Sequence, residues 1–301
     1  MLTVCAPAKI NLVLEVLGKY DDYHQISSVV QAISLCDVIR FQLAEGISFE
    51  CTELSLEQGN LVTQAAVVLK ETTKCDKGVR IKLRKNIPWG VGLGGGSSDA
   101  AATLLTLNKL WGLELAVSEL ASLAFKLGSD VSFFIYGGTA LVEGKGEKVT
   151  PLPSLRPTWF VLLVPPLPKI KDKTGQLYRK LKASYFSNGE YVHGALLSLR
   201  QGRAITTNLT YNVFEELALD FFPELNKYRR SFEQVGASNV HITGSGPCLF
   251  TLLYEKEKAN SLYLRLKKQG LESYVVSSLP KGSWMVNSVA ARRRKEHDLK
   301  H

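Results

Sequence analysis

A glycine-dense stretch at residues 88–101, PWGVGLGGGSSDAA, has the composition of a loop that binds phosphate groups. It follows the alternating segment VRIKLRKNIP and runs into an alanine-rich segment, which predicts a strand, a loop and a helix N-terminus. Glycines let a backbone approach phosphate oxygens without Cβ clashes, and the N–H groups of a helix N-terminus attract anions. Ser97 and Ser98 could cap that helix, bond a phosphate or ligate Mg²⁺. A flexible loop with Ser97 as an ordinary N-cap is the alternative.

Three other glycine motifs do not fit this stretch. The dinucleotide-binding motif needs an acidic residue at the end of a second strand, whereas the candidate, Glu114, follows a predicted helix that ends at Gly112. The P-loop needs a lysine directly before Ser97, where the chain has Gly96. A protein kinase needs HRD and DFG triplets, which this sequence lacks. A phosphate cradle at a helix N-terminus remains.

Four blocks of the sequence together resemble the GHMP kinases, the superfamily of galactokinase, homoserine, mevalonate and phosphomevalonate kinases. The glycine stretch matches the superfamily's ATP-binding loop, and the others are APAKINLVLEVLGKYDDYHQISSV, LGSDVSFFIYGGTALVEGKGEKVTPL and ITGSGPCLF. These three are similar to the members that act on 4-diphosphocytidyl-2-C-methyl-D-erythritol in non-mevalonate isoprenoid biosynthesis. The resemblance implies a kinase that uses ATP and Mg²⁺. It places ATP at Pro88, Trp89, Gly90, Val91, Gly92, Leu93, Gly94, Gly95, Gly96, Ser97, Ser98 and Asn60.

Two charged residues are the candidates for catalysis. Lys9, in PAKINL at the start of the first long strand, could by itself be a solvated strand end, and Asp130, in GSDVSFF, could be a helix N-cap. The resemblance implies that Asp130 is the base that takes the proton of the acceptor hydroxyl. It implies that Lys9 points into the site and stabilises the moving phosphoryl group.

Five residues are the candidates for holding the acceptor. Tyr23 and His24 could be a buried aromatic residue beside a hydrogen-bonded histidine, whereas the resemblance implies that Tyr23 stacks on a cytosine ring and His24 bonds its edge. Asn11 shares a strand face with Lys9 and would contact the substrate. Thr174 and Tyr178 are four residues apart on a predicted helix, and the aromatic ring would close the other side of the cytosine.

A second glycine turn and three departures from the family pattern complete the site prediction. The GSGP turn, Gly244–Pro247, is a hairpin turn by itself, and the resemblance implies that it lies near the phosphate site. The family has Gly, Pro and Asp where this chain has Asp22, Ser132 and Val213. Asp22 puts the geometry of the Tyr-His loop in question, and Val213 removes an acidic role.

The elements that must position these residues mix strands and helices without regular βα alternation, which favours an α+β fold with two domains. Helices are expected over residues 60–73, 97–111 and 118–128, followed by a turn and a hairpin. The proline-containing LPSLRPTW marks the predicted boundary between domains 1–157 and 158–301. The second half predicts strands at its start and end, a hairpin around GSGP, and helices at 174–182, 193–199, 212–219, 224–235 and 255–269. The resemblance implies an N-terminal domain like domain 2 of ribosomal protein S5 and a ferredoxin-like C-terminal domain.

The composition indicates a soluble globular protein, with 45% hydrophobic and 22% charged residues. The apolar runs are too short to span a membrane, and the N-terminus has no secretory or transit pattern, so we expect a cytoplasmic protein without membrane contact. Five scattered cysteines without CxxC argue against a disulfide framework or a zinc site. Any metal is therefore expected to be held by oxygen ligands and phosphate. The expected assembly is a monomer or weak homodimer.

The net charge of +9 suggests either nucleic acid or a phosphorylated small molecule as a partner. Part of that charge lies in the C-terminal tail, ARRRKEHDLKH, which is either a solvated end or a contact for a partner. Aromatic residues are not interleaved with the basic ones, so nucleic acid is the less favoured partner. The alternative functions are a GHMP kinase for another small alcohol, mevalonate or homoserine, and a nucleic-acid-binding protein with a degenerate kinase fold.

Overall fold

The alternating segments of the N-terminal half build a large sheet. The computed structural model describes residues 1–21, 23–53, 55 and 59–282. The strands of the sheet in these residues are β1 (Leu2–Tyr20), β2 (Tyr23–Ala44), β3 (Ile47–Cys51), β4 (Gly78–Arg84), β5 (Thr139–Gly144), β6 (Lys148–Pro151) and β8 (Tyr211–Asn212). They follow the order β3-β4-β2-β1-β8, while β5 pairs with β2 and β6. The long β1–β2 hairpin is the spine of the sheet, and it carries Lys9, Asn11, Tyr23 and His24.

Helices cover one face of this sheet. They are α1 (Leu61–Thr73), α2 (Gly95–Trp111), α3 (Val117–Leu127) and α4 (Ser129–Tyr136). The small side chains of Ala100 and Ala101 are fully buried in this core, which lets α2 pack closely against neighbouring elements. Because α2 begins inside the glycine stretch, at Gly95, its packing fixes the loop that precedes it.

The C-terminal half forms a second, antiparallel sheet with helices around it. Its strands are β7 (Trp159–Leu163), β9 (His241–Ile242), β10 (Leu249–Leu253) and β11 (Ser273–Ser277), in the order β11-β7-β10-β9. Its helices are α5 (Lys173–Lys180), α6 (Glu190–Arg200), α7 (Glu215–Phe221), α8 (Leu225–Gln234) and α9 (Lys256–Lys268), with 3-10 turns at Ala183–Tyr185 and Thr207–Leu209. The GSGP turn joins β9 to β10.

A buried cluster connects the two halves. Ile10 and Val13 of β1 pack in one core with Phe160 of β7 and Phe250 of β10, and all four are at most 1% exposed. In addition, β8 comes from the C-terminal half but pairs with β1 of the N-terminal sheet. The boundary at residues 157 and 158 falls between β6 and β7 and stays a prediction.

The mixed α+β architecture is confirmed, but three local predictions are wrong. The segment after Gly128 forms α4 and not a turn leading directly into a hairpin. Asn212 lies in β8 and the helix predicted from it begins at Glu215, because the Asn212 side chain bonds backbone groups around it. Ser97 is not an N-cap: Gly94, in a left-handed conformation with φ of 71°, caps α2.

Two further predictions concern residues that lie outside the described part of the chain. These residues are the basic tail at 291–301 and Asp22. None of the helices in the described part of the chain is long and apolar enough to cross a membrane.

Candidate active site

Residues 88–94, the part of the glycine stretch before α2, form a loop, called the glycine loop below. Several of its positions have a backbone conformation that favours glycine. Gly90, Gly92 and Gly94 have φ angles of 78°, 95° and 71°. A Cβ atom on Gly92 would collide with the backbone carbonyl oxygen of Thr243, and one on Gly94 would lie 3.0 Å from Cγ of Lys9. The glycines therefore serve both the turn of the chain and the close approach of neighbouring segments.

The loop is anchored through its carbonyl groups. Hydrogen bonds reach them from outside the loop: Lys173 Nζ to Gly90 O at 2.9 Å, Cys248 N to Val91 O at 3.2 Å, and Lys9 N to Leu93 O at 2.9 Å. In a trans peptide the N–H group points opposite to the C=O group. The amides that follow these three carbonyls are therefore turned away from the anchoring groups, and the loop leads into the N-terminus of α2. Such an arrangement suits an anion.

Lys9 and Asp130 lie together beside this loop. Lys9 lies in the middle of β1 and is 4% exposed, so the expectation of a strand start and the alternative of a solvated strand end are both wrong. Its Nζ lies 3.4 Å from Oδ2 of Asp130. Asp130 is in the first turn of α4 with a side chain 52% exposed, and Gly128, not Asp130, is the N-cap. A buried cation thus faces a carboxylate that is open to solvent.

Asn11 and the GSGP turn hold Lys9 in place. Lys9 Nζ donates to Asn11 Oδ1 at 2.7 Å, and Asn11 Nδ2 donates to Ser28 Oγ at 2.9 Å. The backbone N–H of Asn11 donates to Thr243 Oγ1 at 3.1 Å. A Cβ atom on Gly244 would lie 3.2 Å from Lys9 Nζ, so the GSGP turn is packed against the ammonium group. The shared strand face expected for Lys9 and Asn11 is present.

Aromatic rings gather around His24 at the far end of the β1–β2 hairpin. The His24 ring centroid lies 5.3 Å from that of Tyr178 and 6.0 Å from that of Phe186. His24 Nε2 is buried and has no hydrogen-bond partner among the described residues. Burial lowers the pKa of His24, and the charge of Lys19 lowers it further, so the ring is neutral near pH 7. Tyr23 lies under the Lys145 ammonium, which is 3.9 Å from its ring centroid.

Helix α5 connects these rings to the GSGP turn. Thr174 Oγ1 and Ser245 Oγ are 2.9 Å apart, and Tyr178 lies one turn further along the helix. Burial raises the pKa of Tyr178, and the negative charge of Asp130 raises it further. The structure therefore brings the sequence-predicted acceptor residues of α5 within the electrostatic reach of the catalytic candidates.

Asn60 lies next to the start of α2. Its Oδ1 accepts from Val62 N at 2.9 Å, which makes it the N-cap of α1. The next residue, Leu61, has its Cδ1 atom 4.0 Å from the position of a Cβ on Gly96. The N-termini of α1 and α2 are thus neighbours, at the edge of the glycine loop.

Two buried lysines near the loop are not predicted by any sequence motif. Lys173 is 7% exposed and donates to carbonyl oxygens on both glycine turns. Lys85 Nζ pairs with Asp37 Oδ2 and, at 2.8 Å, with Asp99 Oδ2, just below the first turn of α2. Burial raises the pKa of Asp99, while the charge of Lys85 opposes that shift. Single lysines and aspartates carry no periodic pattern, so only the folded arrangement reveals them.

The two described departures from the family pattern are accommodated in the core. Ser132 is 1% exposed and its Oγ lies 3.3 Å from the carbonyl oxygen of Ala121. Val213 is 3% exposed and its N–H donates to Leu14 O at 3.0 Å.

A cavity of about 1040 Å³ lies elsewhere, between the 3-10 turn after α5 and β8. Its lining includes Phe186, Tyr191, Tyr211, Glu215 and His241. Neither the glycine loop nor Lys9 and Asp130 line it, so this cavity is separate from the Lys9–Asp130 pair.

Comparisons with known proteins show which proteins the chain is similar to. The family described as GHMP kinases N terminal domain matches residues 60–138, and GHMP kinases C terminal matches residues 195–271. The chain is 44% identical to 4-diphosphocytidyl-2-C-methyl-D-erythritol kinase of Dehalococcoides mccartyi, over 93% of this chain and 99% of that protein. A crystal structure of 4-(cytidine 5'-diphospho)-2C-methyl-D-erythritol kinase has a TM-score of 0.79 at 32% identity, covering 92% of this chain and 98% of the other. Homoserine kinase from Cytophaga hutchinsonii has a TM-score of 0.73 at 20% identity, covering 93% and 95%, and shares the fold alone.

Proposed function

The chain belongs to the 4-diphosphocytidyl-2-C-methyl-D-erythritol kinase family of GHMP kinases, and on that premise we propose its reaction. It transfers the γ-phosphoryl group of ATP to the 2-hydroxyl of 4-diphosphocytidyl-2-C-methyl-D-erythritol, a step of non-mevalonate isoprenoid biosynthesis. Mevalonate or homoserine as the acceptor is the less favoured alternative, because the homoserine kinase neighbour is only 20% identical.

The Lys9–Asp130 pair beside the glycine loop carries this proposal. The solvent-open carboxylate of Asp130 can accept the proton of an acceptor hydroxyl, a role that contributes about 10²–10⁴ in rate. The buried ammonium of Lys9 is held by Asn11 and supplies positive charge to the phosphoryl group in transfer. The loop amides that point away from the anchoring groups bind the triphosphate together with the N-terminus of α2. Asn60, at the edge of this loop, contacts the nucleotide.

The rings of His24, Tyr178 and Phe186, here called the ring cluster, support a cytidine-containing acceptor. A neutral His24 whose Nε2 has no protein partner in the described chain can bond the polar edge of a pyrimidine. The ring of Tyr178 on α5 lies beside His24, and Tyr23, the residue before His24 in the β1–β2 hairpin, carries a second aromatic ring. Mevalonate and homoserine carry no ring, so they would leave these groups without a function.

The residues at the start of α2 fit Mg²⁺. Ser98 Oγ and Asp99 Oδ1 are buried oxygens without a hydrogen-bond partner among the described residues, and Mg²⁺ takes oxygen ligands. We propose that Ser98 holds the ion together with the phosphates. When bound, Mg²⁺ neutralises charge on the triphosphate.

The remaining features of the protein follow as part of the proposal. We propose a cytoplasmic enzyme that acts as a monomer or weak homodimer, without nucleic acid as a partner. Its domains meet between residues 157 and 158.

Release of ADP tests the function directly. The purified chain is given ATP, Mg²⁺ and one acceptor at a time: 4-diphosphocytidyl-2-C-methyl-D-erythritol, mevalonate or homoserine. We expect turnover only with the cytidine-linked acceptor. Turnover with either other alcohol alone would refute the acceptor assignment. Salt-sensitive RNA binding without ADP release would instead favour the nucleic-acid alternative.

A further inference from the structure

Lys173 joins two glycine turns that come from opposite halves of the chain. Its Nζ donates to Gly90 O at 2.9 Å and also to Gly246 O. Gly90 belongs to the glycine loop before α2, and Gly246 belongs to the GSGP turn between β9 and β10. The two turns already touch, because the carbonyl of Thr243 occupies the space beside Gly92. The ammonium group of Lys173 therefore stabilises the contact between the GSGP turn and the glycine loop.

The surroundings of Lys173 make its charge costly without an anion nearby. The residue is 7% exposed, and burial together with the positive charge of Lys9 lowers its pKa to about 8. The buried thiol of Cys248 and the ring of Phe222, with its centroid 5.8 Å from Nζ, are the other groups that face it. Two carbonyl dipoles compensate the ammonium in part. A bound triphosphate would supply the missing negative charge.

The position of Lys173 in α5 gives this contact a second consequence. Lys173 is the first residue of the helix, Thr174 bonds to Ser245 of the GSGP turn, and Tyr178 packs on His24. A single short helix thus runs from the glycine loop to the ring cluster. A shift at its first turn would move both ends of the site, and misplacement of about 1 Å can cost about 10² in rate.

We propose that Lys173 is a positioning residue for phosphoryl transfer, which holds the ATP loop and the acceptor helix α5 at a fixed distance from each other. This inference rests on the proposed function, because it assigns the loop to ATP and α5 to the acceptor. Within the described part of the chain, Lys173 donates only to backbone carbonyls and acts through the loop.

The test measures binding of a non-hydrolysable ATP analogue with Mg²⁺ by calorimetry, without any acceptor. We expect K173M to weaken binding at least tenfold at pH 7.5 (a value chosen below the pKa of about 8). The matched control is K171M, since Lys171 is exposed and its side chain makes no bond among the described residues. K171M should bind as the wild type does. Equal binding by K173M and K171M would overturn the proposal.

The variant K173R distinguishes a positioning role from a merely structural one. It also replaces K173M in the test if K173M does not fold. Wild-type affinity should fall from pH 7 to pH 9 as Lys173 loses its proton, whereas K173R stays charged and should keep its affinity. A parallel fall in both proteins would overturn the proposal. A wild type that binds no nucleotide would refute the proposed function instead, so the two failures are distinguishable.

Discussion

Lys9 and Asp130 lie with Nζ and Oδ2 3.4 Å apart, but they occupy opposite environments. The lysine side chain is 5% exposed and the aspartate side chain is 52% exposed. The cation is fixed by the core of β1, while the carboxylate remains accessible to an incoming hydroxyl. This asymmetry supports the proposed division of roles, with Asp130 as the base and Lys9 as the stationary charge.

Asp130→Asn should remove the base and leave the nucleotide site intact. The amide has nearly the same shape but cannot take a proton, so we expect kcat to fall by about 10²–10⁴. The Kd of an ATP analogue should stay within about twofold of the wild-type value, because binding depends on the loop. Steady-state kinetics and calorimetry check both values. The control is Asp220→Asn, at an exposed position of α7. A kcat close to the wild-type value for the Asp130 variant would show that Asp130 is not the base.

His24→Phe should affect the acceptor alone. The ring packing on Tyr178 is kept, but the hydrogen bond from Nε2 is lost, which costs about 1–3 kcal/mol. We expect KM for the cytidine-linked acceptor to rise roughly five- to hundredfold with KM for ATP unchanged. His193→Phe, on an exposed position of α6, should change neither KM. An equal rise in both KM values for the His24 variant would contradict its assignment to the acceptor.

Gly92→Ala should disrupt the glycine loop more than a typical glycine replacement does. Gly92 and Gly112 both have positive φ angles, 95° and 69°, but a Cβ on Gly112 meets nothing within 4 Å. Gly112→Ala should therefore cost only the left-handed conformation, about 1–2 kcal/mol of unfolding free energy. Gly92→Ala must also displace the backbone at Thr243, so its loss of stability should be larger and nucleotide binding should weaken. Urea unfolding and calorimetry compare the two variants, and equal losses would argue against the close approach.

Lys85→Met should be strongly destabilising because it leaves two buried carboxylates without their cation. Asp37 and Asp99 are at most 2% exposed, and breaking such a pair costs about 3–5 kcal/mol. The control is Lys82→Met, which removes an exposed ion pair with Glu50 and should change the free energy of unfolding by at most about 1 kcal/mol. Urea denaturation measures both. Similar midpoints for the two variants would show that the buried cluster contributes little.

The sequence predicts groups of residues that the structure brings together, and it fails where backbone geometry decides. Pattern and resemblance predict the glycine stretch, Lys9 with Asn11, and Tyr178 four residues after Thr174; their roles in the site stay predictions. The exposure of Lys9 was wrong, because a bulged, 19-residue strand buries its middle and a short motif does not reveal its length. The cap of α2 was also wrong, since a left-handed glycine ended the loop before either serine. Lys173 could not be found, because its partners are carbonyl groups that any residue carries.

The core shared by Ile10, Val13, Phe160 and Phe250 bears on how ligands enter and how the molecule melts. Opening the two halves like a hinge would expose these buried side chains to water, at about 25 cal/mol for each Å² of apolar surface. We infer that access to the site comes from local movement of loops around a rigid body, and not from separation of the halves. Because the two halves share this core, heating should produce one cooperative calorimetric transition.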